Sequence, residues 1–380
     1  MSSYSISWLN SFDDKQLSKN DYQALLNTVP NATVFNEWAW LTSCEQYLCH
    51  NKEIFILVVR KENKLVACVP FIYGGEKLYK INANVIRLLG YPLCDRLALV
   101  IHQQEPAIIQ VVLEELTHKF PKPWDIIMLS EIAEYPIQDQ TITQWAQVTQ
   151  QAVYKQLTCR VPILNLNQKN LEELVAACPR KLRYELRRRR KKLEKIGNVT
   201  IKHYCPTPEQ VPQLLENFKQ VEYASWKGQK SACIFSTPNS FNFFKDVSRK
   251  LAQRRFLDVA EIWVDEQLIT YKYGFRYRGV FLDYNIAYLS EYGTMGPGRL
   301  LLDEVIKSRF KEKLKAVDAS RVGLVSKHLL FERTDNSLSH YQWAFFSASI
   351  KGRLLRLLIS VVKPFLKRIK SYRSKKKTGI

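Results

Sequence analysis

The feature that most constrains this chain is a glycine-containing loop between a strand pattern and a helix pattern. It reads Tyr292-Gly293-Thr294-Met295-Gly296-Pro297-Gly298-Arg299-Leu300-Leu301-Leu302. Residues 279–288 before it are rich in aromatic residues, and apolar residues recur at helical spacing after it. Such a loop leaves backbone N–H groups open at a helix N-terminus, where the helix dipole favours an anion. A pyrophosphate would fit such a site, but the loop taken alone is better explained as a plain strand-to-helix turn, and the rest of the chain must decide between the two.

Length and composition limit the class of protein. A chain of 380 residues exceeds the usual size of one core, so two domains are expected. No run of about 18 apolar residues occurs, and the N-terminus lacks signal-peptide features, which predicts a cytoplasmic protein. Eight cysteines without a C-x-x-C pair indicate reduced thiols, and six dispersed histidines without H-E-x-x-H predict no metal site.

The net charge of +21 comes from two short segments. Residues 180–195 hold ten Lys and Arg against two Glu, and residues 351–380 hold eleven Lys and Arg with no acid. The rest of the chain is close to neutral. The basic balance therefore indicates two local anion-binding surfaces.

Periodicity predicts two α/β regions and a tail, with domains at 1–160, 161–350 and 351–380. In the first region, the expected strands are 54–60, 65–73, 85–89 and 124–130, and the expected helices are 21–26, 36–49 and 106–120. In the second, a helix over 171–196 broken near Pro179 precedes strand 199–204 and helices 208–220 and 241–254. Strands 256–264, 268–277 and 280–288 follow, then the glycine loop, its helix and strand 316–319.

Three motifs carry a resemblance to a known family. They are the Arg-rich segment 181–197 that ends in Leu-Glu-Lys-Ile-Gly, the segment Phe243-Phe244-Lys245-Asp246-Val247, and Gly296-Pro297-Gly298 where the family shows Ser-Pro-Gly. The loop 87–92 followed by Asp95 is also similar to a family loop. Over residues 30–330, the chain resembles the GNAT acyltransferase superfamily, and more closely its cellulose-biosynthesis-type (CelD-like) acetyltransferases, which are related to Fem-type aminoacyltransferases.

The resemblance implies two tandem GNAT-like domains with mixed, largely antiparallel sheets, of which only the second binds acetyl-CoA or another acyl-CoA. The cofactor-binding residues would be Thr294, Met295, Gly296, Gly298, Arg299 and Leu300. The family segment Asp-x-x-Arg-Gly-x-x-x-Tyr-Lys keeps Asp318, Arg321 and Lys327 here, but Val322 replaces its Gly and Ser326 its Tyr. Gly293 also stands where the cofactor pattern opens with Arg or Gln.

The implied chemistry is direct transfer of the acyl group to an amine or hydroxyl, which needs a base and an acid. Asp283 and Tyr284 lie on the strand before the loop, and strand geometry predicts that they point to opposite faces. Asp318 ends the next strand and is the third candidate. No G-x-S-x-G and no Cys–His motif supports a covalent nucleophile.

Two other functions remain open. The loss of the family Gly and Tyr at positions 322 and 326 keeps a catalytically degenerate binding module possible. The basic helix suits a Fem-like enzyme that uses aminoacyl-tRNA, although other nucleic acid is not expected, since no stacking aromatics interleave with its cations. We predict that Arg187 and Arg190, together with Arg321 and Lys327, bind anionic groups of the substrate. An acceptor from the cell envelope or an exopolysaccharide, including a lipid-linked glycan, follows from the family alone.

The tail has a pattern of its own. On a helical projection, apolar residues of 354–369 occupy one half and cations the other, with a kink expected at Pro364. Packing of the apolar half on the domain would explain this pattern. The excess of cations also predicts an interfacial helix on an anionic membrane surface, at the inner face of the cytoplasmic membrane.

Overall fold

The computed structural model describes residues 4–230, 232–326 and 328–365. The chain forms two compact units. Unit 1 contains the described residues of 1–32, 49–158 and 341–380, and unit 2 contains those of 33–48 and 159–340. The domain boundaries predicted at residues 160 and 350 remain a prediction.

Elements are numbered along the chain. The strands are β1 (Tyr4–Leu9), β2 (Glu53–Lys61), β3 (Lys64–Leu78), β4 (Ile81–Leu88), β5 (Ile126–Ala133), β6 (Val153–Asn165), β7 (Val199–Tyr204), β8 (Leu257–Val264), β9 (Gln267–Tyr277), β10 (Val280–Tyr288), β11 (Ala316–Asp318) and β12 (Ser337–Phe346). The helices are α1 (Lys19–Thr28), α2 (Trp38–Leu48), α3 (Pro106–His118), α4 (Pro136–Val148), α5 (Leu171–Ala177), α6 (Arg180–Glu194), α7 (Val211–Tyr223), α8 (Trp226–Gln229), α9 (Pro238–Gln253), α10 (Pro297–Lys311) and α11 (Ile350–Leu357). The mixed α/β class predicted from the sequence is confirmed.

In unit 1, strands β1 to β4 form an antiparallel meander in chain order, and β5 pairs with β4 in parallel. α3 packs against α4 and contacts β3. The C-terminal α11 continues into a π-helical turn, Leu358–Val362. Leu355 of α11 and Ile359 of that turn are buried beside Val85, Ile126 and Phe346. The first turns of the predicted tail helix therefore belong to the core of unit 1.

In unit 2, the sheet order is β7-β8-β9-β10-β11-β6, and only the β10–β11 pair is parallel. One face of β9 is aromatic and packs on the helices: Tyr271 stacks on Phe218 of α7 at 3.9 Å, and Phe275 lies 5.4 Å from Trp40 of α2. α10 packs its buried residues Leu301, Val305 and Ile306 into an apolar cluster of the unit.

The helix predicted over 171–196 is divided where the sequence indicates. α5 ends because the residue before Pro179, Cys178, is extended at φ −72° and ψ 130°. α6 then begins at Arg180 and buries Leu182, Leu186 and Leu193 on one stripe. Its remaining face carries most of the cations.

Candidate functional site: the opening between two parallel strands

Strands β10 and β11 pair in parallel over only three residues. Val280, Phe281 and Leu282 pair with Ala316, Val317 and Asp318, where β11 ends, while β10 continues to Tyr288. Residues 285–288 of β10 thus have no strand partner on that edge within the part of the chain that the structure describes. Backbone N–H and C=O groups there are available to a bound molecule. We call this region the strand opening.

A β-bulge lies at the start of the strand opening. The register of β10 against β9 shifts between Asp283 and Asn285. Tyr284 packs against aromatic rings, including Phe275 at 5.4 Å, and the amide nitrogen of Asn285 donates to the Tyr271 hydroxyl at 3.0 Å. Both side chains therefore lie on the aromatic face of the sheet. In a regular strand, consecutive side chains alternate, so the bulge places two neighbours together.

Asp283 lies on the other face, away from Tyr284. Its carboxylate forms a buried ion pair with Lys272 of β9, and Nε2 of His328 lies 3.7 Å from Oδ2. Burial alone would raise the pKa of Asp283, but the charges of Lys272 and His328 lower it to about 2. The group is therefore ionised at neutral pH, which suits an electrostatic role better than uptake of a proton.

A second buried polar network includes the bulge. The Lys227 ammonium contacts the amide oxygen of Asn285 and lies 3.1 Å from Glu222 Oε1, which also accepts from the Asn285 amide at 3.0 Å. Burial lowers the pKa of Lys227, while Glu222 opposes that change. Sequence reasoning missed Glu222, Lys227 and Lys272, because no motif marks their contacts with Asn285 and Asp283 of β10, which form only in the folded unit.

The end of β11 supplies the other side of the opening. Asp318 is buried, and its Oδ1 accepts a hydrogen bond of 2.8 Å from the Ser320 backbone N–H. Ser320 has φ +59°, a left-handed conformation that is unusual for a residue other than glycine. Its hydroxyl is buried and has no hydrogen-bond partner in the described residues. Arg321 follows in an exposed loop, and Lys327 lies outside the described residues.

The glycine loop forms a 3-10 turn, Ser290–Met295, that leads into α10. Gly296 takes φ 60° and ψ 51°, and Pro297 begins the helix. Three of the predicted amide donors are bonded within the loop: Gly296 donates to Gly293, and Arg299 and Leu300 donate to Gly296. Gly298 has no hydrogen-bond partner for its N–H in the described residues. A Cβ at Gly298 would lie 2.9 Å from Cδ1 of Ile286 on β10, so a larger residue there requires the end of that side chain to move.

Helix α6 reaches the glycine loop through one arginine. Nη1 of Arg189 donates to the Thr294 carbonyl at 3.2 Å, and a Cβ at Gly296 would overlap its guanidinium. Arg299 is held by Glu332 through two hydrogen bonds of 2.8 Å. The α10 N-terminus therefore favours an anion, while the two arginines beside it are already paired, Arg189 with Glu185 and Arg299 with Glu332.

The positions predicted to bind anions differ in their surroundings. Arg187 of α6 is exposed and has no ion-pair partner in the described residues. Arg190 pairs with Glu194 at 3.0 Å and lies 3.5 Å from Glu304 of α10. The structure thus places Asp283, Tyr284 and Asp318 around the strand opening, and Arg187 and Arg190 on the basic helix.

Comparison with known proteins agrees with this geometry. Residues 180–323 match the family model described as acetyltransferase (GNAT) domain, so this part of the chain is similar to that family. The matched segment runs from α6 to just past β11 and includes the glycine loop and the strand opening. A search of curated proteins finds no match to this chain.

Solved structures share the fold over nearly the whole chain. The crystal structure of FemX is 9% identical, with a TM-score of 0.61, and the match covers 93% of this chain and 99% of that one. The structure of L-PGS from Bacillus licheniformis is 12% identical, with a TM-score of 0.53 and coverages of 95% and 98%. The C-terminal domain of a putative lysylphosphatidylglycerol synthetase from Agrobacterium fabrum is 8% identical, with a TM-score of 0.53 and coverages of 90% and 96%.

Proposed function

We propose that unit 2 transfers an acyl group, most simply acetyl, from acyl-CoA to an amine or hydroxyl acceptor. The observation that supports this most is the strand opening beside the glycine loop, inside the segment that the acetyltransferase model matches. The pyrophosphate would bind at the N–H of Gly298, next to Arg189, with Thr294 and Met295 closing the loop around it. The unpaired edge of β10 would hold the thioester by backbone hydrogen bonds.

The reaction needs no covalent enzyme intermediate. The acceptor nitrogen or oxygen attacks the thioester carbon, the new C–N or C–O bond forms, and the C–S bond breaks. The acceptor loses one proton to a base, and the CoA thiolate gains one to leave as the thiol. Asp318 is our candidate base and Tyr284 our candidate acid, while Asp283 stabilises positive charge beside the opening through Lys272 and His328.

Steady-state rates of the two variants test these roles. Asp318→Asn should lower kcat by about 100-fold, because the acceptor would lose its base. Tyr284→Phe should also lower kcat, because it removes the proposed proton donor to the CoA thiolate. Near-parental rates in both variants would contradict the assignment of base and acid.

The acceptor proposal rests on the resemblance to the CelD-like group. A cell-envelope or exopolysaccharide sugar is the acceptor that this group suggests. A Fem-like reaction that uses aminoacyl-tRNA is the second candidate, favoured by the exposed cations of α6 beside the glycine loop. Mass spectrometry and nucleic-acid staining of the purified protein distinguish the two candidates. The acyl-CoA-dependent reaction predicts that CoA co-purifies with the protein, and the Fem-like reaction predicts that tRNA does.

A catalytically inactive binding module is the alternative to any enzyme. Both departures from the family segment, at Val322 and Ser326, lie in the loop that follows β11. Hydrolysis of acyl-CoA by the parent without acceptor, abolished by Asp318→Asn, would contradict this alternative.

We also propose that the C-terminal helix brings unit 1 to an anionic membrane surface. In the described residues, no helix is long and apolar enough to cross a membrane. Beyond the buried Leu355 and Ile359, a second apolar stripe is exposed, consisting of Ile350, Leu354, Leu357, Val361 and Phe365. Residues 366–380, which complete the predicted basic tail, lie outside the described residues.

The hairpin between β3 and β4 extends this surface. Tyr79 at its tip is about half exposed, and the Lys363 ammonium lies 5.9 Å from its ring centroid. Lys77 and Lys80 on the same tip are exposed. Apolar side chains surrounded by cations suit the interface of anionic lipid, where each cation contributes about 1 kcal/mol.

A further inference from the structure

A cavity of about 280 Å³ lies between α5, α6 and α10 in unit 2. Its floor is apolar and includes Leu174 and Val175 of α5 and Leu300 and Ile306 of α10. Leu300 is four residues past Gly296, about 6 Å along the helix axis from the glycine loop. The cavity therefore lies next to the glycine loop proposed to bind acyl-CoA, and it is lined by a separate set of side chains.

The described residues that line this cavity include five cations and two carboxylates. Asp303 and Glu304 of α10 are already shared among the cations. Asp303 pairs with Lys307 at 2.7 Å and with Arg333, and Glu304 pairs with Lys307 at 3.0 Å and contacts Arg190 at 3.5 Å. Both acids are therefore engaged, and the cavity keeps an excess of positive charge.

Two arginines of α6 carry that excess. Arg183 and Arg187 lie one turn apart and line the cavity, and neither has a carboxylate partner in the described residues. Nε of Arg183 is buried and donates to no acceptor in that part of the chain. A buried unpaired donor is costly, and two neighbouring guanidinium groups repel each other, so an anion would relieve both penalties.

We propose that this cavity binds a phosphate group attached to an apolar body, with Arg183 and Arg187 on the phosphate and the α5–α10 floor under the body. Guanidinium forks match phosphate geometry, and the apolar floor disfavours a fully hydrated inorganic ion. Two sources share this chemistry: the 3′-phosphate end of CoA, in which case the proposal rests on the proposed function, or a separate lipid phosphate.

Calorimetry with three probes tests the proposal: CoA, dephospho-CoA and farnesyl phosphate. Arg187→Gln removes one exposed cation from the cavity rim. Lys192→Gln makes the same charge change at an exposed position of α6 outside the cavity and serves as the control. We expect Arg187→Gln to weaken binding of one phosphate probe about tenfold, and Lys192→Gln to change it less than twofold.

The pattern of loss identifies the source. If Arg187→Gln weakens binding of CoA but not of dephospho-CoA, the cavity binds the 3′-phosphate of CoA. If Arg187→Gln weakens binding of farnesyl phosphate, the cavity binds a separate lipid phosphate. Unchanged isotherms for all three probes, or equal losses in Arg187→Gln and Lys192→Gln, overturn the proposal. A parent protein that binds farnesyl phosphate in an Arg187-dependent way but does not bind CoA would contradict the proposed donor and leave the cavity supported.

Discussion

The buried pair of Asp283 and Lys272 shows how single residues hold the strand opening in place. Each side chain is only 2% exposed. Removing one partner leaves the other charge buried and unpaired, which costs about 3–5 kcal/mol. We therefore expect Asp283→Asn to lower the free energy of unfolding by that amount at pH 7, measured by urea denaturation.

An exposed ion pair gives the matched control. Glu53 pairs with Lys122 at 2.6 Å, but its side chain is 53% exposed. Glu53→Gln should cost less than about 1 kcal/mol. Equal effects of the two substitutions would show that Asp283 and Lys272 are not paired in the interior. The stabilisation from Asp283 is complete above its ordinary pKa of 3.8 and should be lost as pH falls toward 2.

His203 on β7 gives a second pH dependence of the unfolding free energy. This one comes from a base instead of an acid and falls at less acidic pH. Burial and the nearby charge of Arg309 together lower its pKa from 6.5 to about 4, against the raising effect of Glu304 and Glu312. Between pH 6.5 and 4, His203 is therefore protonated in the unfolded chain but remains neutral in the folded protein. The unfolding free energy should fall as pH decreases through this window, by at most about 1.4 kcal/mol per pH unit.

His203→Gln tests this directly. Urea midpoints measured from pH 7 to pH 4 should show a shallower decline in the variant than in the parent. Parallel curves for the two proteins would mean that the pKa of His203 is the same in the folded and unfolded states.

At the scale of elements, the sequence predicted the parts of the site that depend on local pattern. β7 and β10 have the predicted bounds, and the glycine loop begins α10 as expected. β1, α4, β6 and β12 were not predicted, although β1 alternates Tyr4, Ile6 and Trp8 with serines as a strand does. The bulge at Asp283/Asn285 is also absent from the pattern, since it depends on contacts with β9 and not on residue type.

The side-chain partners around the site were the least predictable. Asp283 was predicted as a candidate base, but its charged partners could not be predicted. Lys272 lies 11 positions before it in the sequence and His328 lies 45 positions after it. That pairing sets the pKa of the carboxyl, and with it the chemistry the group can perform. Local motifs carry no information on such distances.

The C-terminal helix divides into two faces with different expected behaviour. Leu355 is 0% exposed, whereas Leu357 is 51% exposed. Leu355→Ala should destabilise the protein by about 2–5 kcal/mol, and Leu357→Ala by less than about 0.5 kcal/mol. Thermal or urea unfolding of both variants measures the difference, and similar losses would contradict the packing of α11 on unit 1.

For the whole molecule, the exposed face of the same helix predicts binding to membranes. Parent protein should co-sediment with vesicles of phosphatidylglycerol and not with neutral phosphatidylcholine, and salt should weaken the binding. The triple substitution Leu357→Ser, Val361→Ser and Phe365→Ser should reduce sedimentation at least fivefold, since it removes apolar contacts and keeps every cation. Equal sedimentation of parent and triple variant would show that this stripe does not contact lipid.

The central claim for the molecule is that the glycine loop of unit 2 holds the phosphates of acyl-CoA, and calorimetric titration with acetyl-CoA tests it most directly. Gly298→Val places a side chain against Ile286 and over the free amide, whereas Gly75→Val in β3 of unit 1 adds its Cβ where nothing lies within 4 Å. Both variants should stay folded by circular dichroism. The account predicts micromolar binding for the parent and Gly75→Val, with at least a 30-fold loss for Gly298→Val; equal affinity of all three proteins would contradict it.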